Sequence, residues 1–273
     1  MRAWTILLAA GFCIAAFPSR AADTDHDSRV LRAAEQTVFF PLVCKKRIHR
    51  KDNNCAGVIG LPGYAGDGAT SLTLDAVAYG AFTRPGADQA YVTYDASFEP
   101  HADNFGGGIL FERRGGQWHL VHWYPGGQME TCVALPPEAT QRMLCLSGYT
   151  GMGETDSSVW IDRVVPGDKL SSAAVLKAQD DREVGDGADT AECSRRNSPK
   201  DAVLLSIDDL KRSNAPGVLA VAKITYVTAR DANAACRAGR FENAKETNGV
   251  VRFHFAHGKA VAQTPANFAR TDY

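Results

Sequence analysis

The sequence lacks several patterns that mark well-known kinds of functional site. No CxxC pair occurs, so we do not expect a cysteine-ligated zinc site. No GxSxG motif occurs either, and no helical pattern follows Gly151-Met152-Gly153, which argues against a nucleophile elbow and a dinucleotide-binding loop. Neither sign of charge is in excess, because 30 Lys and Arg residues stand against 31 Asp and Glu residues. We therefore expect no cofactor and no nucleic-acid partner.

Long apolar runs are also scarce. The only one extends from Trp4 to Phe17, and it is shorter than the roughly 20 residues that a spanning helix needs. Pro18 ends this run and small residues follow up to Ala21, which is the pattern of a cleavable signal peptide. We predict a signal peptide over residues 1–21, a single mostly β domain over residues 22–273, no transmembrane segment, and a periplasmic or secreted location.

Cysteine usage agrees with export. Without the cysteine inside the apolar run, six cysteines remain, an even number in a chain that enters an oxidising compartment. Six cysteines can pair in many ways, but their grouping in the sequence suggests that neighbours pair. The predicted disulfides are Cys44–Cys55, Cys132–Cys145 and Cys193–Cys236.

One helix is predicted, near the start of the exported chain. Val30, Ala34 and Val38 recur at helical spacing after Asp27 or Ser28, either of which suits an N-cap. Pro41 is expected to end the helix.

Basic residues are concentrated between the first two cysteines, where Lys45, Lys46 and Arg47 follow one another. Such a run is either a solvated loop held by a disulfide or a basic lobe that contacts an anionic partner. The second reading predicts weak contact with an anionic envelope surface.

From Ala56 onward the sequence favours strands separated by Gly, Pro and Asp clusters. We predict a mainly β fold of antiparallel four-stranded meanders, either propeller-like or a β-sandwich, with the one N-terminal helix. The expected strands are Leu72–Phe82, Gln89–Phe98, Gly107–Arg113, Gln117–Tyr124, Arg142–Tyr149, Ser157–Val165, Ala202–Leu210, Gly217–Ala229, Gly249–Phe255 and Lys259–Gln263.

Three segments of the chain are alike. YGAFTRPGADQAYVTY (Tyr79–Tyr94) and SIDDLKRSNAPGVLAVAKITY (Ser206–Tyr226) both join a strand end to an apolar strand through a polar loop with Pro and Gly. LSGYTGMGETDSSVWI is a looser third copy. These segments resemble the FG-GAP or VCBS repeat of integrin-like β-propellers. The resemblance implies blade-like meanders, but not the calcium site of that family, because Arg84 and Pro85 stand where acidic ligands would be needed.

The stretch HADNFGGGILFERRGGQWHLVHWYPGG contains three histidines and suggests a site. Gly115-Gly116 between two strands predicts a two-residue turn. The resulting register places Glu112 opposite His119 and turns His119 and His122 to opposite faces, which disfavours a shared metal. The Glu112-His119 pair is either a cross-strand polar pair or, in an extracytoplasmic hydrolase, a general base.

Two polar loops, Glu99–Asn104 and Thr150–Ser157, are the predicted ligand contacts, because binding residues often lie on loops of a rigid scaffold. The alternative is that their polar side chains only make turns and cap backbone groups. The favoured function is a non-catalytic binding or scaffold module whose partner is a protein or a small molecule. The predicted ligand-binding residues are His101, Asp103, Asn104, Thr150, Glu154 and Asp156.

Overall fold

The computed structural model describes residues 26–46, 54–61, 69–98, 106–136, 138–151, 154–167, 170–180, 201–265 and 268. Among these residues, no helix is long and apolar enough to cross a membrane. The elements are β1 Arg29–Val30, α1 Ala33–Val43, β2 Asn54–Ala56, β3 Ala69–Gly80, β4 Gln89–Ala96, β5 Gly106–Arg114, β6 Gln117–Pro125, β7 Thr131–Ala134, β8 Arg142–Gly151, β9 Glu154–Arg163, β10 Ser171–Asp180, β11 Val203–Arg212, β12 Ala220–Val227, α2 Ala229–Arg237, β13 Glu246–Ala256 and β14 Lys259–Gln263.

The strands form three antiparallel sheets, and each contains a four-stranded meander. The first sheet has the order β1-β3-β4-β5-β6, with β2 paired to β3. The second sheet has the order β10-β9-β8-β7, and the third has the order β11-β12-β13-β14. The predicted fold class, a mainly β chain of antiparallel four-stranded meanders, is confirmed.

The sheets are layered, with an apolar core at each seam. Helix α1 covers the outer face of the first sheet, where Phe39 packs against Phe111 at 4.8 Å between ring centroids. Tyr91 and Tyr124 fill the seam between the first and second sheets together with Cys132 and Cys145. A third cluster joins the second sheet to the third. Its members include Leu144, Val159, Leu210, Ile224 and Phe253.

Helix α1 begins and ends later than predicted. Arg32, not Asp27 or Ser28, precedes its first turn, and the Arg32 amide donates to the Glu35 carboxylate at 2.9 Å. Ser28 instead donates to the backbone of Glu130 at 2.7 Å. Pro41 lies inside the helix, which continues to Val43. A proline removes one donor, but the residues after it can still form helical hydrogen bonds.

A second helix, α2, was not predicted. The expected strand over Gly217–Ala229 ends at Val227, and Thr228 then caps α2 by accepting a hydrogen bond from the Asp231 amide at 3.2 Å. Strands β7 and β10 were also missed. β7 is only four residues long, and the first half of β10 is a run of exposed Ser and Ala residues without apolar alternation.

Two predicted disulfides are confirmed. Cys44 and Cys55 join the end of α1 to β2, and Cys132 and Cys145 are register partners on β7 and β8. Cys236 is disulfide-bonded as well. Cys193, its predicted partner, lies outside the described residues, as does the predicted signal peptide.

The β5–β6 hairpin follows the predicted register only near its turn. Gly115 and Gly116 have positive φ angles of 58° and 82°, and Glu112 lies opposite His119. A bulge at Val121 then shifts the register, so that His122 lies opposite Leu110. The two histidines therefore face the same side of the sheet, and the prediction of opposite faces is wrong because one extra residue reverses the alternation.

Candidate functional site

Glu112, the acid of the proposed dyad, is buried beneath two arginines. Its Oε1 accepts hydrogen bonds from Arg114 Nε and Arg84 Nη2, both at 2.7 Å, and its Oε2 accepts from Gln89 Nε2 at 3.0 Å. The hydrogen bond from Arg114 is the main cause that lowers the pKa of Glu112 to about 2. His119 lies opposite Glu112 on β6, and its side chain is exposed. Since Glu112 already serves these three donors, the geometry does not favour it as the partner of a general base.

The first predicted binding loop, with His101, Asp103 and Asn104, lies outside the described residues. The described chain does show where this loop begins and ends. Strand β4 ends at Ala96 and β5 resumes at Gly106, whose register partner is Asp95. Asp95 therefore marks the place where the loop returns to the sheet.

The second predicted loop is mainly strand. β8 continues to Gly151 and β9 begins at Glu154, so Thr150 and Asp156 belong to paired strands. Asp156 lies opposite Tyr149, whereas the side chains of Thr150 and Glu154 are outside the described part. Gly148 lies within β8, and Gly151 is still paired with Glu154 at the ends of the two strands.

A cleft of about 530 Å³ opens between the first and second sheets. One wall comes from β3, the end of β4 and the residue that follows it. The other wall comes from β8 and the segment before β7. Its lining residues are Ser71, Thr73, Asp95, Ala96, Ser97, Gln128, Glu130, Leu146, Ser147 and Gly148.

Strand alternation explains why polar side chains reach this cleft. Leu72 and Leu74 on β3 point into the core beneath α1, so Thr73 points the other way, towards the second sheet. Thr73 is the register partner of Asp95, which places both on one face. On β8, Leu144 packs towards the third sheet while Cys145 packs towards the first, and Ser147 follows Cys145 in this alternation.

Two carboxyl groups, those of Asp95 and Glu130, line the cleft, and Asp75 lies near enough for their charges to act on it. Burial is the first cause that raises the pKa of Asp95 and of Glu130, and the charge of Asp95 raises that of Glu130 further. Burial also raises the pKa of Asp75 to about 6, with repulsion from Asp95 and Glu130 as further causes. The Asp75 Oδ2 atom is buried and has no hydrogen-bond partner among the described residues. Carboxyl groups with raised pKa values in a cleft are typical of functional sites.

The glycines before β5's apolar residues help to shape the site. A Cβ atom on Gly106 would lie 2.6 Å from Gln128 Nε2 and 2.8 Å from Asp95 Oδ1. The missing side chain leaves room for Gln128 to donate to Asp95 at 3.0 Å. Sequence reasoning missed Asp95, Glu130 and Thr73, although an acid within the apolar strand Gln89–Phe98 was a signal of an inward-facing carboxylate.

Two other predictions concern charge and metals. Lys45 and Lys46 are exposed on backbone paired with Gly57 and Ala56, while Arg47 lies beyond the described range. In the part of the chain that the structure describes, no three His, Cys, Asp or Glu side chains are grouped to hold a metal ion.

No family model, curated protein or solved structure matches this chain.

Proposed function

We propose that the protein is a binding module that takes a polar ligand in the cleft between the first and second sheets. The observation that carries the proposal is the lining of the cleft, where Asp95 and Glu130 converge with hydroxyl and amide side chains. Ligand sites are concave and use a few converging polar groups to orient what they bind.

The side chains that line the cleft determine which hydrogen-bonding groups a ligand must present. Ionised Asp95 and Glu130 are hydrogen-bond acceptors only, whereas Ser and Thr hydroxyls both donate and accept. A ligand that presents several hydroxyl or amine donors suits this lining. Gly106, which follows the predicted contact segment Glu99–Asn104 in the sequence, is the register partner of Asp95, which supports a role for that segment as a further contact.

The proposed setting is outside the cytoplasm. Two disulfides within the described chain are compatible with an extracellular protein. We also propose that residues 1–21 direct export to the periplasm or the medium, and that the meanders are related to FG-GAP or VCBS blades. The β3–β4 and β11–β12 hairpins, which hold the first two similar segments, open their respective meanders. The third similar segment forms the central β8–β9 hairpin, so its position in the meander differs.

Titration of a panel of diamines, amino acids and saccharides, followed by calorimetry at pH 7.5, tests the proposal. We expect at least one saturable ligand, whose affinity falls about tenfold or more in Glu130→Gln and in Asp95→Asn because each removes a charged acceptor. Asp88→Asn, in the exposed β3–β4 loop, is the matched control and should bind like the wild type.

The pH dependence provides a second readout for the same ligand. Burial raises the pKa of Asp75 to about 6 and raises the pKa values of Asp95 and Glu130 above those of free carboxyl groups, so the three groups take up protons at a higher pH than free carboxyl groups do. Protonation removes acceptors, and affinity should weaken as the pH falls. Unchanged binding in both cleft variants, or no saturable ligand in the panel, would contradict the proposal.

A further inference from the structure

The second sheet extends its cleft-facing surface beyond the cleft itself. Ser147 lines the cleft, and its register partner Ser158 lies next to Lys177 on β10. Two residues further along β8, Tyr149 lies opposite Asp156 on β9, and Asp156 in turn lies opposite Gln179 on β10. We call this surface, together with Trp160, the platform. Its members are Tyr149, Asp156, Ser158, Trp160, Lys177 and Gln179.

Side-chain alternation places the platform on the same side as the cleft. Ser157 points to the third sheet, where its hydroxyl accepts a hydrogen bond from the Ile207 amide at 2.7 Å. Val159 packs on the same core. Ser158 and Trp160 therefore point the other way, towards the side on which the first sheet and the cleft lie. The platform residues are half-buried, so each still has surface that solvent reaches.

Two aromatic rings lie on the platform at well-separated positions. Trp160 is the register partner of Cys145, which lies four residues before Tyr149 on β8. At about 3.4 Å per residue, the two rings are separated by roughly 14 Å along the strands. Lys177 Nζ lies 5.3 Å from the centroid of the Trp160 ring, a cation–π contact that helps to hold this ring in place.

From this arrangement, and resting on the proposed binding function of the cleft, we infer that the cleft and platform bind an oligosaccharide. Sugar rings have apolar C–H faces that stack on aromatic rings and hydroxyl edges that hydrogen-bond to polar side chains. The platform offers both, with Ser158, Asp156 and Gln179 between or beside the two rings. The separation of the rings exceeds the length of one sugar, so the surface suits a short chain.

Two other classes of ligand fit less well. An extended peptide that adds a strand bonds mainly to the backbone of a sheet edge, whereas Tyr149, Trp160 and Lys177 present their side chains on a face of the sheet. A nucleic acid needs several cations for its phosphates, whereas the platform has Lys177 as its one cation and the carboxylate of Asp156 on the same face.

Calorimetric titration with chitotetraose, cellotetraose and maltotetraose, and with the monosaccharide of each, tests the inference on the purified protein. We expect one tetrasaccharide to bind at least about tenfold more tightly than its monosaccharide and to change tryptophan fluorescence. Trp160→Ala and Tyr149→Ala should each weaken it by about tenfold, and Trp160→Phe by less, because a phenyl ring still stacks. Trp118→Phe, on the α1 side of the first sheet, is the matched control.

The outcomes separate this inference from the proposed function. If other panel compounds bind in a Glu130-dependent way but no tetrasaccharide does, the oligosaccharide inference is overturned and the binding function remains. If a tetrasaccharide binds with equal affinity to wild type, Tyr149→Ala and Trp160→Phe, the platform is not its site. If nothing binds, both proposals fail. Tyr149→Ala keeps the test valid should Trp160→Ala not fold.

Discussion

At the scale of single residues, Asp162 is a carboxyl group placed where its charge is unfavourable. It lies on β9 in the seam between the first and second sheets and is only 6% exposed. Burial raises its pKa to about 6, although a hydrogen bond from the Ser172 hydroxyl at 2.5 Å opposes the shift. The folded protein therefore holds a proton on Asp162 at a pH where the unfolded chain has lost it.

The raised pKa of Asp162 predicts how Asp162→Asn changes stability. The contribution of Asp162 is fully present below about pH 4 and is lost as the pH rises through 6. At pH 7.5 the variant should be more stable by about 1–3 kcal/mol, and at pH 4 the gain should vanish. Urea denaturation at both pH values measures the difference.

Asp208→Asn, on the exposed face of β11, is the matched control for Asp162→Asn, and its stability difference from the wild type should not follow this pH window. A gain for Asp162→Asn that is equal at pH 4 and pH 7.5 would show that the buried charge is not its cause.

At the scale of secondary-structure elements, β4 and β5 approach each other through a glycine. A Cβ atom on Gly108 would lie 2.0 Å from the Tyr91 hydroxyl oxygen, where no side chain fits. Tyr91 is buried, and its hydroxyl donates to the Gly127 carbonyl at 2.6 Å. The ring of Tyr91 thus occupies the space above Gly108 and connects β4 to the chain that follows β6.

Gly108→Ala should therefore destabilise the protein by about 3 kcal/mol or more, because the new methyl group must displace a buried, hydrogen-bonded ring. Gly148→Ala is the matched control, since its Cβ would meet only the Asp156 carbonyl at 3.5 Å, an ordinary contact. Thermal unfolding of the two variants compares them directly. Equal melting temperatures would mean that Tyr91 moves aside without cost.

Local patterns predicted most of the strands, because alternation and turn residues act over short distances. Gly115-Gly116 defined the hairpin, but nothing local marked the bulge at Val121, which follows from packing Trp123 under α1. The same limit applies to the cleft. Asp95 and Glu130 lie far apart in the sequence and meet only when two sheets stack, which a single strand's pattern does not encode.

At the scale of the whole molecule, a half-buried ion pair connects distant parts of the chain. Arg212 on β11 donates to Asp27 through Nε and Nη2, at 2.7 and 2.6 Å. Arg212 Nη2 also reaches the carbonyl of Ala134 at the end of β7, and the amide of Ala134 donates to Asp27 at 2.7 Å. The N-terminal segment, the second sheet and the third sheet therefore meet at one point.

Arg212→Ala should cost about 2–3 kcal/mol, less than a fully buried pair because both side chains keep some solvent contact. Arg212→Lys retains the charge without the paired hydrogen bonds and should lie between. Arg113→Ala is the control, since its 3.9 Å pair with Asp88 is exposed and should contribute less than about 0.5 kcal/mol. Urea midpoints that are equal for Arg212→Ala and Arg113→Ala would contradict this role.

The two fully described disulfides have a mechanical consequence. Each closes a short loop, at sequence separations of 11 and 13 residues, and neither ties one sheet to another, since one joins α1 to the first sheet and the other lies within the second sheet. Shear between the first and second sheets is thus resisted by side-chain packing and by bonds such as the one from the Tyr124 hydroxyl to the Val165 carbonyl. A ligand bound in the cleft between these two sheets should oppose such sliding. Its binding would then make the packing of the sheets more rigid without any hinge motion.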